Sequence, residues 1–216
     1  MIKDKNLKIN EQKFLSYLNG KEEFPFKGDF FKFLLISSKA NRNLIENFFI
    51  DYLKDMLLYE CDNYYLLIYR NKEKLEIENF IELFNEDMGT KSLIFEGFYI
   101  NKDNGRYLLD FLKIVDNEYS FIKMYSKISD LILQVNNKRD VISDLKRIVL
   151  DSYLIDNEFN ILVKTLFKNN LNISKTANDL YMHRNTLNNK LNSFERDTAL
   201  SIQNFIDAVA IYELLK

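Results

Sequence analysis

The side chains best suited to bind nucleic acid lie near the C-terminus, in the segment 172–191, which reads N-I-S-K-T-A-N-D-L-Y-M-H-R-N-T-L-N-N-K-L. Arginine can form paired hydrogen bonds with guanine, and asparagine can do so with adenine. Residues 172–196 carry four Lys/Arg and two Asp/Glu, which gives a local charge of +2 in a chain with a formal net charge of −2. Any DNA binding must therefore come from this local patch.

Two short helices separated by a turn of about three residues are predicted here, which is the spacing of a helix-turn-helix over residues 172–194. Ser174 is placed to cap the first helix, and Lys175 lies in its first turn. Ala177 is small where the two helices must approach each other. Backbone N–H groups at the two helix starts, together with Ser174, Lys175 and Lys190, can hold phosphates.

The second helix, predicted over 183–195, has one apolar and one polar face. Leu187, Leu191 and Phe194 are spaced to form a buried stripe. The opposite face holds Asn185, Asn188, Asn189 and Asn192. A helix of this kind fits the major groove and presents its N-terminal residues to base edges. His183 is expected either to contact phosphate or to cap this helix.

The elements that precede this segment predict an α+β chain. Strands are predicted over 30–37, 57–59, 64–69, 91–100 and 120–125, and helices over 41–56, 74–88 and 105–115. This order suggests an α/β sandwich with helices on one face of the sheet. After residue 128 every apolar pattern is helical, with helices predicted over 140–155, 157–169, 173–180, 183–195 and 201–215.

Composition excludes several functional classes. The chain has one cysteine, Cys61, and one histidine, which argues against a disulfide and against a metal cluster. There is no signal-peptide pattern and no apolar run of membrane-spanning length, so a cytoplasmic setting is expected. We predict no cofactor and no metal.

The run from 154 to 202, with the pattern N-x-S-K-T-A-x-x-L-Y-x-H-R-N-T-L and the lead-in L-V-K-T-L-F, resembles the C-terminal helix-turn-helix of PucR/CdaR-type transcriptional regulators. Residues 172–191 also align without gaps to the Fis-type helix-turn-helix. The resemblance implies one group of residues facing DNA: His183, Arg184, Thr186, Asn188 and Asn189. It implies that Asn172, Ser174 and Lys175 contact the DNA backbone.

Two features depart from this family. Basic residues are frequent in the family where this chain has Asn188 and Asn189, so phosphate affinity is expected to be lower. Members often carry a sensory domain at the N-terminus, and this chain is expected to lack one.

The front half is similar to the degenerate GGDEF-like domain that precedes this helix-turn-helix in the family. Active diguanylate cyclases need a Gly-Gly-acidic-Glu-Phe hairpin and carboxylates at the end of the first strand. Here the hairpin reads E-C-D-N-Y-Y and the strand ends in S-S-K. No enzymatic activity is therefore predicted.

These observations predict a GGDEF-like α/β domain over 1–127 and an all-helical DNA-binding domain over 128–216. The predicted function is sequence-specific regulation of transcription by a homodimer that binds double-stranded DNA. The DNA-binding residues are predicted to be Asn172, Ser174, Lys175, His183, Arg184, Asn185, Thr186, Asn188, Asn189 and Lys190. The alternative is a protein-interaction hairpin, in a partner of a full-length relative that does not itself bind DNA. Under that alternative, the asparagine face is simply solvated.

Overall fold

The computed structural model describes residues 2–3, 7–26, 31–70 and 77–216 of the chain. It divides into two compact units, Met1–Ile128 and Ser129–Lys216. Residue 30 of the first predicted strand and residues 74–76 of the second predicted helix lie outside the described residues. None of the helices in the described ranges has the length and apolar content needed to cross a lipid bilayer.

The first unit is built on a five-stranded mixed sheet. Its strands are β1 (Phe31–Ser37), β2 (Lys54–Glu60), β3 (Tyr65–Arg70), β4 (Leu93–Glu96) and β5 (Tyr125–Lys127). The strand order is β2-β3-β1-β4-β5, and only the β4–β5 pair is parallel among these strands. β1 is central and is buried without interruption from Phe33 to Ile36, because both faces of the sheet are covered.

Helices lie on both faces of this sheet. They are α1 (Ile9–Leu18), α2 (Arg42–Ile50), α3 (Ile77–Met88) and α4 (Leu108–Glu118). α2 and α3 pack on the face that carries Leu34 and Ile36. On the other face, the ring centroid of Phe111 in α4 lies 5.6 Å from that of Phe33, and the ring centroid of Phe14 in α1 lies 6.4 Å from that of Tyr59. The α+β class is confirmed, whereas the prediction of helices on one face only is wrong, because β1 is apolar on both faces.

Several boundaries in this unit differ from the predictions. α2 ends at Ile50 and β2 begins at Lys54, whereas the apolar spacing predicted a helix to residue 56. Leu53 fits the apolar periodicity of the helix, but it is buried in the connection to β2. β4 is shorter than predicted, and β5 begins at Tyr125, where the predicted last strand ends. The short parallel pairing with β4 decides its position, which a local pattern does not contain.

The described secondary structure of the second unit is entirely helical. The helices are α5 (Ile128–Gln134), α6 (Arg139–Leu150), α7 (Asn157–Lys168), α8 (Ile173–Asp179), α9 (Arg184–Thr198) and α10 (Phe205–Leu215). The first residue of α5 belongs to the first unit. α5 is not among the predicted helices. The core of the second unit includes stacked rings of Phe159 and Phe194, whose centroids are 4.7 Å apart.

Candidate nucleic-acid interface

α8 begins at a side-chain cap, but the capping residue is not the predicted one. The Asn172 Oδ1 atom accepts a hydrogen bond from the Lys175 backbone N–H at 2.9 Å. Ser174 lies inside the first turn, so the prediction that Ser174 caps the helix is wrong. Asparagine and serine are about equally good caps, and the chain enters the helix one position before Ile173. Asn172, Ser174 and Lys175 are all exposed at this end of α8.

The turn after α8 is closed by backbone hydrogen bonds. The Met182 N–H donates to the Ala177 carbonyl at 2.9 Å, and the Tyr181 N–H donates to the Asn178 carbonyl at 3.1 Å. This pair of bonds is the Schellman pattern, which requires a left-handed residue after the helix end. Tyr181 occupies that position with a φ of 50°. The turn therefore directs the chain into α9 without a glycine.

His183 caps the start of α9. Its Nδ1 atom accepts a hydrogen bond from the Asn185 backbone N–H at 3.2 Å. Of the two predicted roles for His183, the cap is present in the structure, and contact with phosphate stays a prediction. Arg184 is the first residue of α9 and is exposed. The helix continues to Thr198, three residues beyond the predicted end, and Ala199 follows it with a φ of 60°.

The predicted apolar stripe fixes the rotation of α9. Leu187, Leu191 and Phe194 are buried, and the ring of Phe194 packs 5.0 Å from Tyr153. Ala177 is buried as well, in agreement with its predicted place where α8 and α9 approach. Because this face is held in the core, the opposite face lies on the surface. Arg184, Asn185, Thr186, Asn189 and Asn192 are exposed, and Asn188 and Lys190 are half-buried.

Asn169, a buried asparagine outside the predicted site, connects α7 with α8. The Asn169 Nδ2 atom donates to the Asp179 carboxylate at 2.8 Å and lies 3.4 Å from the Thr176 hydroxyl. Asn170 follows with a φ of 52°, in a second Schellman pattern closed by the Leu171 N–H and the Leu166 carbonyl. In the sequence, the pair of asparagines that follows an amphipathic helix is the one sign of this helix end. The many other asparagines in the region obscure that sign.

The site consists of α8 and α9, which are joined by a tight turn. α9 has one buried apolar face and one exposed polar face. Residues 162–216 match the PucR C-terminal helix-turn-helix domain. The matched range contains α8, the turn, α9 and α10. This PucR-type domain marks the chain as a DNA-binding transcriptional regulator. The predicted resemblance is thereby confirmed for the C-terminal part, and the GGDEF-like assignment of the front half stays a prediction.

The chain is also similar to the crystal structure of a regulator of polyketide synthase expression from Bifidobacterium adolescentis. The sequence identity is 13%, the match covers 96% of this chain and 91% of that one, and the TM-score is 0.44. No curated protein sequence matches this chain.

Two surface grooves flank α9. The first, about 390 Å³ in volume, lies between the start of α8 and α9, and it is lined by Asn172, Ile173, Ser174, Arg184, Asn188, Asn192 and Gln203. The second, about 300 Å³ in volume, is lined by Tyr153, Asp156, Phe159, Thr186, Asn189, Lys190 and Ser193. All of the predicted DNA-binding residues on α9 except Asn185 therefore border one of the two grooves.

The cations of the PucR-type domain differ in their pairing. Lys190 forms an ion pair with Glu158 of α7 at 3.1 Å, and the Arg196 Nε atom lies 3.1 Å from the Asp197 carboxylate. Within the described residues, Lys175 and Arg184 have no carboxylate partner. Burial and the hydrogen bond that Tyr153 donates to Asp197 at 2.7 Å raise the pKa of the Tyr153 hydroxyl, so it stays neutral beside the second groove.

The described residues contain no group of three His, Cys, Asp or Glu side chains that could hold a metal ion. Cys61 is buried in the first unit, and burial raises the pKa of its thiol to about 12.

Proposed function

We propose that the chain regulates transcription by binding specific sequences in double-stranded DNA, with α9 as the recognition helix in the major groove. The observation that supports this most strongly is the surface of α9. Arg184, in its first turn, is exposed and has no carboxylate partner in the described residues. The asparagine-rich face of the helix lies opposite the buried apolar stripe. Residues at the N-terminal end of a recognition helix are the ones that reach base edges.

The residues of the interface would divide into two groups. Arg184, Asn185, Asn188 and Asn189 would read base edges, because arginine and asparagine form paired bonds with guanine and adenine. The groove-lining residues Asn172 and Ser174, with Lys175, would contact the DNA backbone and fix the position of the domain. His183 and Thr186 would lie near the backbone at the start of α9, and Lys190 would join them if it leaves Glu158.

A homodimer would supply the remaining affinity. One short recognition helix reads only a few base pairs, so two copies related by a two-fold axis are the usual solution. Two copies would read half-sites about 34–36 Å apart, or a multiple of that distance. Within the described part of the motif, only two cations lack a carboxylate partner, so the charge of a single copy gives little attraction for DNA.

The first unit would be a GGDEF-like domain without catalysis. At the end of β1, the Ser92 hydroxyl donates to the Ser38 hydroxyl at 2.7 Å, where a cyclase needs carboxylates. The hairpin between β2 and β3 closes through the Cys61 N–H and the Tyr64 carbonyl at 2.8 Å, and it contains no glycine. Purified protein should therefore not convert GTP in the presence of magnesium. Turnover above a buffer control would contradict this assignment.

The test of DNA binding uses a matched pair of arginine variants. After an operator is selected from genomic fragments, we expect Arg184→Ala to weaken specific binding by about 5- to 150-fold, the range for a base-reading side chain. Arg139→Ala is the control, because Arg139 is also the exposed first residue of a helix, α6. It should leave affinity unchanged.

Circular dichroism would show that both variants fold. If folded Arg184→Ala binds the operator within twofold of wild type, α9 is not the recognition helix. If wild type binds no fragment at all, the alternative of an interaction partner without DNA binding replaces the proposal.

A further inference from the structure

Tyr181, in the turn between α8 and α9, combines two unfavourable properties. Its φ of 50° lies in the left-handed region, which favours glycine. Its side chain is 99% exposed. Within the described residues, that side chain makes no hydrogen bond or ring contact. A glycine at this position would relieve the backbone strain and would lose no buried surface.

The other non-glycine residues with positive φ in the described part of this unit are Asp151, Asn170, Leu171 and Ala199, and none of them is an exposed aromatic residue. Asn170, which closes α7, is of a residue type that tolerates the left-handed region. Ala199, which follows α9, has a small side chain that is only partly exposed. Among the described residues, therefore, no contact compensates for the strained and fully exposed side chain of Tyr181.

We propose that Tyr181 is a DNA-contacting residue whose hydroxyl donates a hydrogen bond to a backbone phosphate at the edge of the major groove. This inference rests on the proposed function. Tyr181 lies three residues before Arg184, so their Cα atoms are at most about 10 Å apart. The major groove is about 12 Å wide. When Arg184 is at a base edge, the Tyr181 side chain is therefore within reach of the phosphates that border the groove, and tyrosine is among the residues that bind them.

A tyrosine contact has a signature that a lysine or arginine contact lacks. A neutral hydroxyl does not neutralise a phosphate, so it releases no counterion. Removing Tyr181 should lower affinity at every salt concentration and leave the slope of log affinity against log salt unchanged. It should also stabilise the free protein, because the strain at φ 50° is relieved.

The experiment measures operator affinity, its salt slope and the melting temperature for two variants and a control. Tyr181→Phe should weaken binding about three- to tenfold, the loss expected for one neutral hydrogen bond. Tyr181→Gly should weaken it at least as much and raise the melting temperature by about 2–4 °C. Neither should change the salt slope. Ala199→Gly relieves the same kind of strain at the other end of α9, so it should raise the melting temperature and leave affinity unchanged.

Three results would overturn the inference. These are unchanged affinity in Tyr181→Phe, a lower melting temperature in Tyr181→Gly, or a change in self-association of Tyr181→Gly, which would assign the side chain to a second copy of the chain. Suppose that Arg184→Ala loses operator binding while Tyr181→Gly binds the operator as tightly as wild type. In that case only this inference fails, and the proposed function stands. If wild type binds no DNA, the proposed function fails with it.

Discussion

The ion pair between Lys190 and Glu158 leads to a quantitative prediction about salt. Lys190 lies on the proposed recognition helix, but its ammonium is 3.1 Å from the Glu158 carboxylate of α7. Their side chains are 36% and 64% exposed, so the pair is worth about 0.2–1 kcal/mol. We expect Lys190 to stay with Glu158 in the wild-type complex and to contribute no phosphate contact. Glu158→Gln would release it.

The expected magnitude follows from the number of cations available to phosphate. Each neutralised phosphate adds about −0.9 to the slope of log affinity against log salt on duplex DNA. Lys175 is the unpaired cation assigned to phosphate, because Arg184 is assigned to a base edge, and it gives about −0.9 per subunit, or about −1.8 for a dimer. With Lys190 released, these values become about −1.8 and about −3.6. Glu158→Gln should therefore steepen the dimer slope by about −1.8 and tighten binding at low salt.

Fluorescence anisotropy with a labelled operator, measured at several salt concentrations, gives the slope directly. Glu213→Gln is the matched control, because it adds the same charge and also releases a lysine, Lys216, from a pair at 2.6 Å at the end of α10. It should leave the slope unchanged. An unchanged slope in Glu158→Gln, or an equal steepening in Glu213→Gln, would refute the assignment of Lys190 to the DNA-facing side of α9.

Two further predictions concern the first unit. Because burial raises the pKa of Cys61 to about 12 from 9.0, the folded state keeps a proton that the unfolded state loses above about pH 9. The free energy of unfolding of wild type should therefore fall relative to that of Cys61→Ala as the pH rises from 9 toward 12, by up to about 1.4 kcal/mol per pH unit. Urea unfolding at several pH values measures this difference, and a difference that does not change with pH would contradict the prediction. Glu11 is 2% exposed and accepts hydrogen bonds from Arg42 at 2.7 Å and from the Leu58 N–H at 3.0 Å. Glu11→Ala should lower the free energy of unfolding, measured in urea, by about 3–5 kcal/mol. The double variant with Arg42→Ala should lose less than the sum of the two single losses, whereas strict additivity would show that the pair is not coupled.

Local patterns predict the parts of the fold that depend on local physics. The spacing of Leu187, Leu191 and Phe194 identifies the buried face of α9, because periodic burial needs no knowledge of the partner surface. Gly20 and Gly89 are helix-stop signals in the sequence. Each glycine lies just after the end of a helix and has a positive φ. The stop signals work because glycine adopts that conformation at little cost.

Other features depend on contacts that the sequence does not display. Glu158 and Lys190 are far apart in the chain, so their ion pair could not be predicted from either residue alone. Two nearby residues, Asn172 and Ser174, are both suitable caps, and only the path of the chain distinguishes them. A tyrosine in a left-handed turn gives no signal, because the sequence marks such turns only when glycine or asparagine fills them.

The central position of β1 has a consequence during synthesis. This strand is the first of its sheet to leave the ribosome, yet it is apolar on both faces and pairs with β3 and β4. Tyr65, where β3 begins, lies 28 positions after Ser37, and Leu93 of β4 lies 56 positions after it. At about 5–20 residues per second, β1 waits roughly 1–6 s for its first central partner and roughly 3–11 s for its second. During that interval the strand is a short, largely apolar β-former of the kind that aggregates. α2, which is made in between and packs on the face of Leu34 and Ile36, can shield only that face.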